Sequence, residues 1–124
     1  MTNDELMFFD AMPQMLPLYE ALAEKLQSRY PEMSVKVSRT QISFRNRYVF
    51  AMASLPWRKV KGWPEQYLLV SFGLSYRKDS PRIAQSVEAY PNRWTHHVLA
   101  LSPTDIDAEL LGWIDEAYQF AMVK

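Results

Sequence analysis

Cysteine is absent from the 124 residues. That excludes a disulfide framework, a thiol nucleophile, a zinc–thiolate site and an iron–sulfur cluster. Glycine occurs only at Gly62, Gly73 and Gly112, too far apart to build a phosphate-cradling loop or a dinucleotide fingerprint. No apolar run approaches the roughly 18 residues that span a bilayer. The opening Met1-Thr2-Asn3-Asp4-Glu5 is acidic where a signal peptide would be basic. The expectation is a cytoplasmic protein with no membrane partner. Histidine is scarce as well: His96 and His97 are neighbours, and on a strand they point to opposite faces, so they do not share a metal. No metal and no cofactor is expected.

What is present is enough apolar material for one core. The hydrophobic fraction is 48%, and a chain of this length folds as one domain, taken as residues 1–124. Net charge is zero but unevenly spread. Residues 1–34 hold two basic and six acidic side chains, residues 35–98 eleven and three, and residues 99–124 one and five. The segments carry −4, +8 and −4, which speaks to long-range fields and partners and says nothing of fold. Acidic helices lying against a basic sheet would account for it, as would an external anion.

Thr2 and Glu5 stand at capping-box spacing before a short helix ending near Met12-Pro13. Met15, Leu18, Leu22 and Leu26 then draw the apolar stripe of a second helix, with Pro17 in its first turn and an end near Tyr30-Pro31. From Met33 the period becomes two. Met33, Val35 and Val37 form one face of a strand; Ile42, Phe44, Tyr48, Phe50 and Met52 continue the even positions through a hairpin turned near Asn46; Leu68, Val70, Phe72 and Leu74 form another strand. Ser80 and Pro81 carry helix-start chemistry for one turn. Ser86–Tyr90 and Trp94–Leu101 read as strands about Pro91-Asn92. Ser102, Pro103 and Asp105 open a closing helix from about Pro103 to Met122. The fold class is therefore α+β, a two-layer sandwich: an antiparallel sheet of about five strands with N-terminal and C-terminal helices on one face.

Two constellations stand out. Gln41, Ser43, Arg45 and Arg47 alternate with the apolar positions and should line the sheet face away from the core if register holds. The loop Trp57-Arg58-Lys59-Val60-Lys61-Gly62-Trp63 sets three cations between two tryptophans, equipment that stacks on bases and meets phosphates. Cation–π contacts within the loop explain it equally well.

The segments Thr40-Gln41-Ile42-Ser43-Phe44-Arg45, Ser71-Phe72-Gly73-Leu74, Asp79-Ser80-Pro81-Arg82-Ile83, Tyr90-Pro91-Asn92-Arg93-Trp94-Thr95-His96-His97 and Ile106-Asp107-Ala108-Glu109-Leu110-Leu111-Gly112-Trp113-Ile114 resemble the uncharacterised bacterial family known as domain of unknown function 5655. The resemblance covers nearly the whole chain. It implies no catalytic residue, cofactor or partner, and points only to the polar positions inside those segments.

The leading expectation is a small non-enzymatic binding module that recognises an anionic ligand or partner through Arg45, Arg47, Arg77, Arg82 and Arg93. One alternative is a small-ligand pocket or hydrolase-like enzyme using His96 or His97 with Asp79 or Ser80. Another is a nucleic-acid-binding accessory domain using Trp57, Arg58, Lys59, Lys61 and Trp63. Self-association through an exposed sheet face or edge is a third.

Overall fold

The computed structural model describes residues 1–123. Thr2 and Glu5 form the reciprocal capping box that opens α1 (Asn3–Phe8), and two short 3-10 turns lead into α2 (Leu16–Arg29). Six strands follow: β1 (Ser34–Val37), β2 (Ile42–Arg45), β3 (Val49–Ser54), β4 (Leu68–Leu74), β5 (Ile83–Tyr90) and β6 (Arg93–Ala100). They make one antiparallel sheet in the order β1-β2-β3-β4-β6-β5. The count is six against an expected five or so, and the α+β sandwich holds. Asn92 takes a positive φ of 62° in the two-residue connection between β5 and β6, a conformation that asparagine tolerates better than most residues.

Both long helices cover one sheet face. Tyr19 of α2 stacks on Phe44 of β2 at 6.0 Å, and Trp113, in the closing helix α3 (Ala108–Met122), tilts over Phe72 of β4 at 6.0 Å. The helices join where the rings of Tyr30 and Tyr118 stack at 4.1 Å and the Tyr30 hydroxyl donates to Asp115 at 2.6 Å. Burial and that carboxylate push the Tyr30 hydroxyl pKa up. Glu5 is a buried carboxylate. Burial opposes its ionisation, yet hydrogen bonds from Thr2 and Tyr19 hold it below the ordinary carboxylate range. The two acidic ends thus supply partners to their own fold.

Three expectations about local structure are corrected. First, the closing helix does not run unbroken from Pro103. Ser102 and Asp105 cap a 3-10 turn, Pro103–Asp105, and α3 starts again at Ala108 with Asp107 as its own cap, accepting from the Leu110 amide. Second, residues 80–83 make the expected single turn but no helix: the Ile83 amide donates to the Ser80 carbonyl at 3.1 Å and β5 begins there.

The third concerns β3. Phe44 pairs with Ala51 and Arg45 with Val49, so Phe50 is an extra residue, a β-bulge. A bulge re-aims a side chain and shifts the alternation. Phe50 turns to the helix layer, edge-on to Tyr30 at 5.2 Å and Tyr118 at 5.0 Å. Beyond it Ala51 and Ala53 face the core, while Met52 faces away with Ser43 and Ser71, its neighbours across the strands. No helix of the described chain is long and apolar enough to cross a membrane.

Candidate functional site

The helices leave the second sheet face to other cover. Register puts Met52, Ser71, His97 and Gln85 in one row across β3, β4, β6 and β5, with Gly73 and Thr95 in the row beside it. These are small, polar or thioether side chains, in contrast to the apolar face beneath. Over them runs the segment that links β3 to β4, residues 55–67. Trp63 turns inward and meets Tyr67 edge-to-face at 5.8 Å, and the Trp63 amide closes a turn onto the Val60 carbonyl at 3.1 Å. Gly62 supplies the positive φ of 87° that this turn requires.

Between floor and roof is a cleft of about 570 Å³, a volume typical of small-molecule sites. Its polar groups converge. Ser71 Oγ and His97 Nδ1 are 2.7 Å apart, so one hydrogen bond orients the imidazole and leaves Nε2 without a hydrogen-bond partner among the described residues. Burial, and secondarily His96, keeps the His97 ring below the ordinary histidine range; the neutral ring is the form presented. Gln41 reaches in from the start of β2, donating to Ser43 at 3.1 Å. Tyr67 is only 4% exposed, lines the cleft, and its hydroxyl makes no hydrogen bond within the described protein. Burial raises its pKa, offset in part by the nearby Arg58 guanidinium. At the rim Arg58 lies over the Trp57 ring at 5.1 Å, and Trp57 itself is 77% exposed.

Ser71 sits mid-strand, with Met52 on one side and His97 on the other. Its backbone is committed to the sheet on both sides, and its hydroxyl orients the His97 ring.

The residues singled out in the sequence divide into groups. His97, Gln41, Ser43, Trp57, Arg58 and Trp63 meet at or under this cleft. His96 faces the opposite layer, fully buried and stacked on Phe72 at 5.2 Å, its Nε2 accepting from the Lys78 amide at 2.9 Å. Its Nδ1 is buried and has no hydrogen-bond partner among the described residues. Burial, with Lys78 and Arg77 nearby, holds that ring below the usual range. The proposed pairing of a histidine with Asp79 or Ser80 is not formed. Asp79 is an exposed partner of Arg77 at 3.6 Å, and Ser80 Oγ accepts from the Arg82 amide at 3.2 Å.

The arginines do not share one surface. Arg82 crosses to the helix layer, where it binds Asp107 at 2.8 Å, Glu109 at 3.0 Å and the Asp105 carbonyl at 2.9 Å, with Trp113 beneath it. Arg45 ends β2, two residues on from Ser43, paired with Ser34 and Val49. Arg47 lies in the β2–β3 turn, which bends toward α3 so that Asn46 donates to the Tyr118 hydroxyl at 3.0 Å, and the Arg45 guanidinium donates to the Arg47 carbonyl at 3.4 Å. In the loop, Lys59 reaches Glu65 at 3.8 Å across open solvent, and Lys61 is exposed.

Sequence reasoning passed over Ser71, Tyr67, Gln85 and Met52. The odd positions of β4, Leu69, Ser71 and Gly73, share a period-two face with Thr95 and His97 once β4 and β6 are paired, and that alternation was the available signal. Fold and cleft together define an α+β sandwich with a cleft of ligand size on the sheet face away from its helices. The profile of the family described as domain of unknown function (DUF5655) matches residues 7–121, and the chain belongs to that family. No curated protein and no solved structure matches it.

Proposed function

We propose that the chain is a small-molecule-binding domain whose ligand is an amphipathic acid held in the cleft beneath residues 55–67. The observation that carries this is the lining itself: among the described residues it offers apolar and aromatic walls, several polar groups without a hydrogen-bond partner and no carboxylate, and Arg58 stands at the rim with no acidic partner among them. In a protein with 14 acidic side chains, a cleft free of them favours an anion. Tyr67 hydroxyl and His97 Nε2 are the natural contacts for the acid group, and Trp63 and Leu69 for the apolar body. This keeps the anion expected from the basic middle segment and moves its site from the arginine strip to the cleft.

Titration with anilinonaphthalene sulfonate, an aromatic acid whose fluorescence reports transfer to an apolar site, tests the reading. Saturable one-to-one binding that Tyr67→Phe and Arg58→Gln each weaken several-fold is the expected result. Binding unaffected by either substitution would place the probe elsewhere and remove the proposal.

A further inference from the structure

The cleft does not end at His97. A second hollow of about 290 Å³ continues along the strands toward the β5–β6 turn. Gln41, Met52 and Thr95 line both, so the two spaces share one floor. Gly73 lies on that floor, and a Cβ built there would meet only the Trp94 carbonyl, at 3.9 Å. The missing side chain keeps the passage open although the backbone conformation would accept any residue.

At the far end is Arg93. Its guanidinium lies over the Phe120 ring at 4.8 Å and donates to the Asn92 carbonyl at 3.0 Å. Among the described residues it has no carboxylate partner, and none lines this hollow. In this respect Arg93 resembles Arg58 and differs from Arg82, Arg77 and Lys78, each of which is paired with an acid. A guanidinium held by a ring face keeps its forked edge available for a carboxylate or phosphate. The four steps from His97 to Arg93 along β6 span about 13 Å of strand.

From this juxtaposition we infer that the ligand is an elongated diacid: one acid group lies near Tyr67, His97 and Arg58, the apolar body crosses Gly73, and a second acid group meets Arg93. The inference rests on the cleft being the ligand site and adds the length and second charge of the ligand. Arg58 and Arg93 are the two ends of a ruler, and the acid-free floor between them tolerates an apolar spacer.

The test is a calorimetric or fluorescence titration of the full chain with α,ω-dicarboxylates from heptanedioate to tetradecanedioate, each beside the monocarboxylate of equal length. The expected result is an affinity maximum at an intermediate length, where the diacid binds about tenfold more tightly than its monoacid, the worth of one added charge-assisted contact. Arg93→Met should bring diacid and monoacid to equal affinity without changing the monoacid. Gly73→Val, which places a β-branched side chain in the passage of a strand that gains from it, should abolish the diacid advantage and also weaken the longer monoacids, whose chains cross the same passage, in a protein at least as stable. Equal binding of diacid and monoacid at every length, with the monoacid still sensitive to Tyr67→Phe, would overturn the second acid site and leave the cleft standing. Binding of neither class would overturn both.

Discussion

Removing the charge of Arg82 separates a structural cation from a ligand-binding one. Its side chain is 27% exposed, whereas those of Asp107 and Glu109 are 44% and 55% exposed. Charge-assisted hydrogen bonds contribute about 1.5–3 kcal/mol when well shielded, but partners this wet are screened and worth much less, by about half or more. The Trp113 face adds about 0.5–1 kcal/mol. Arg82→Met keeps the apolar stem and should therefore cost about 1–2 kcal/mol, lowering the melting temperature by roughly 4–10 °C for a domain of this size. Asp107 still caps α3 through the Leu110 amide, so the helix should persist by circular dichroism. Affinity for anilinonaphthalene sulfonate should not change. A variant that melts like the parent, or one that folds normally and loses the probe, would refute the assignment of Arg82 to the helix layer.

Four further outcomes follow from the same contacts. Phe50→Ala should cost about 3–5 kcal/mol in urea unfolding, because the bulged ring fills the space between Tyr30 and Tyr118; a loss under about 1 kcal/mol would mean the bulge does not direct it there. Tyr67→Phe should leave stability unchanged or slightly raised, since its hydroxyl has no partner to lose among the described residues, and a marked drop in urea midpoint would contradict that. Both histidines have folded pKa values held below the ordinary 6.5, so the unfolded chain takes up protons first. Stability should then be full above about pH 6.5 and decline as pH falls below it, by at most about 1.4 kcal/mol per pH unit for each ring. Equal urea midpoints at pH 7.5 and 5.5 would contradict that account, and His97→Gln should shrink the difference. Finally, Trp57→Ala should reduce probe affinity only slightly, since the ring is largely exposed, whereas Trp63→Ala should reduce it strongly.

Much of the architecture was legible because it rests on local signals. The Thr2–Glu5 capping box, the Leu18, Leu22 and Leu26 stripe, and the Leu68–Leu74 alternation all appear as read. The bulge at Phe50 was not legible: Phe50 and Met52 keep even parity on paper, and only the pairing of Arg45 with Val49 shows that the alternation has shifted. Arg82 and Arg93 look alike in a charge count. What distinguishes them is the acid-bearing start of α3 against one and an aromatic ring against the other, contacts made between residues distant in sequence. The cleft was hidden for a related reason. Ser71 and His97 are 26 positions apart, and their hydrogen bond needs the register of β4 on β6.

The central claim is that the uncovered sheet face, and not the helices or the arginine-rich turn, receives the ligand. Amide and indole chemical-shift mapping during titration with anilinonaphthalene sulfonate tests it most directly. The account predicts shifts concentrated at Ser71, Gly73, Thr95, His97 and the Trp63 indole, with α2 and the Arg45–Arg47 turn silent. Shifts centred on α2, α3 or Arg45–Arg47, or none at millimolar probe, would contradict it.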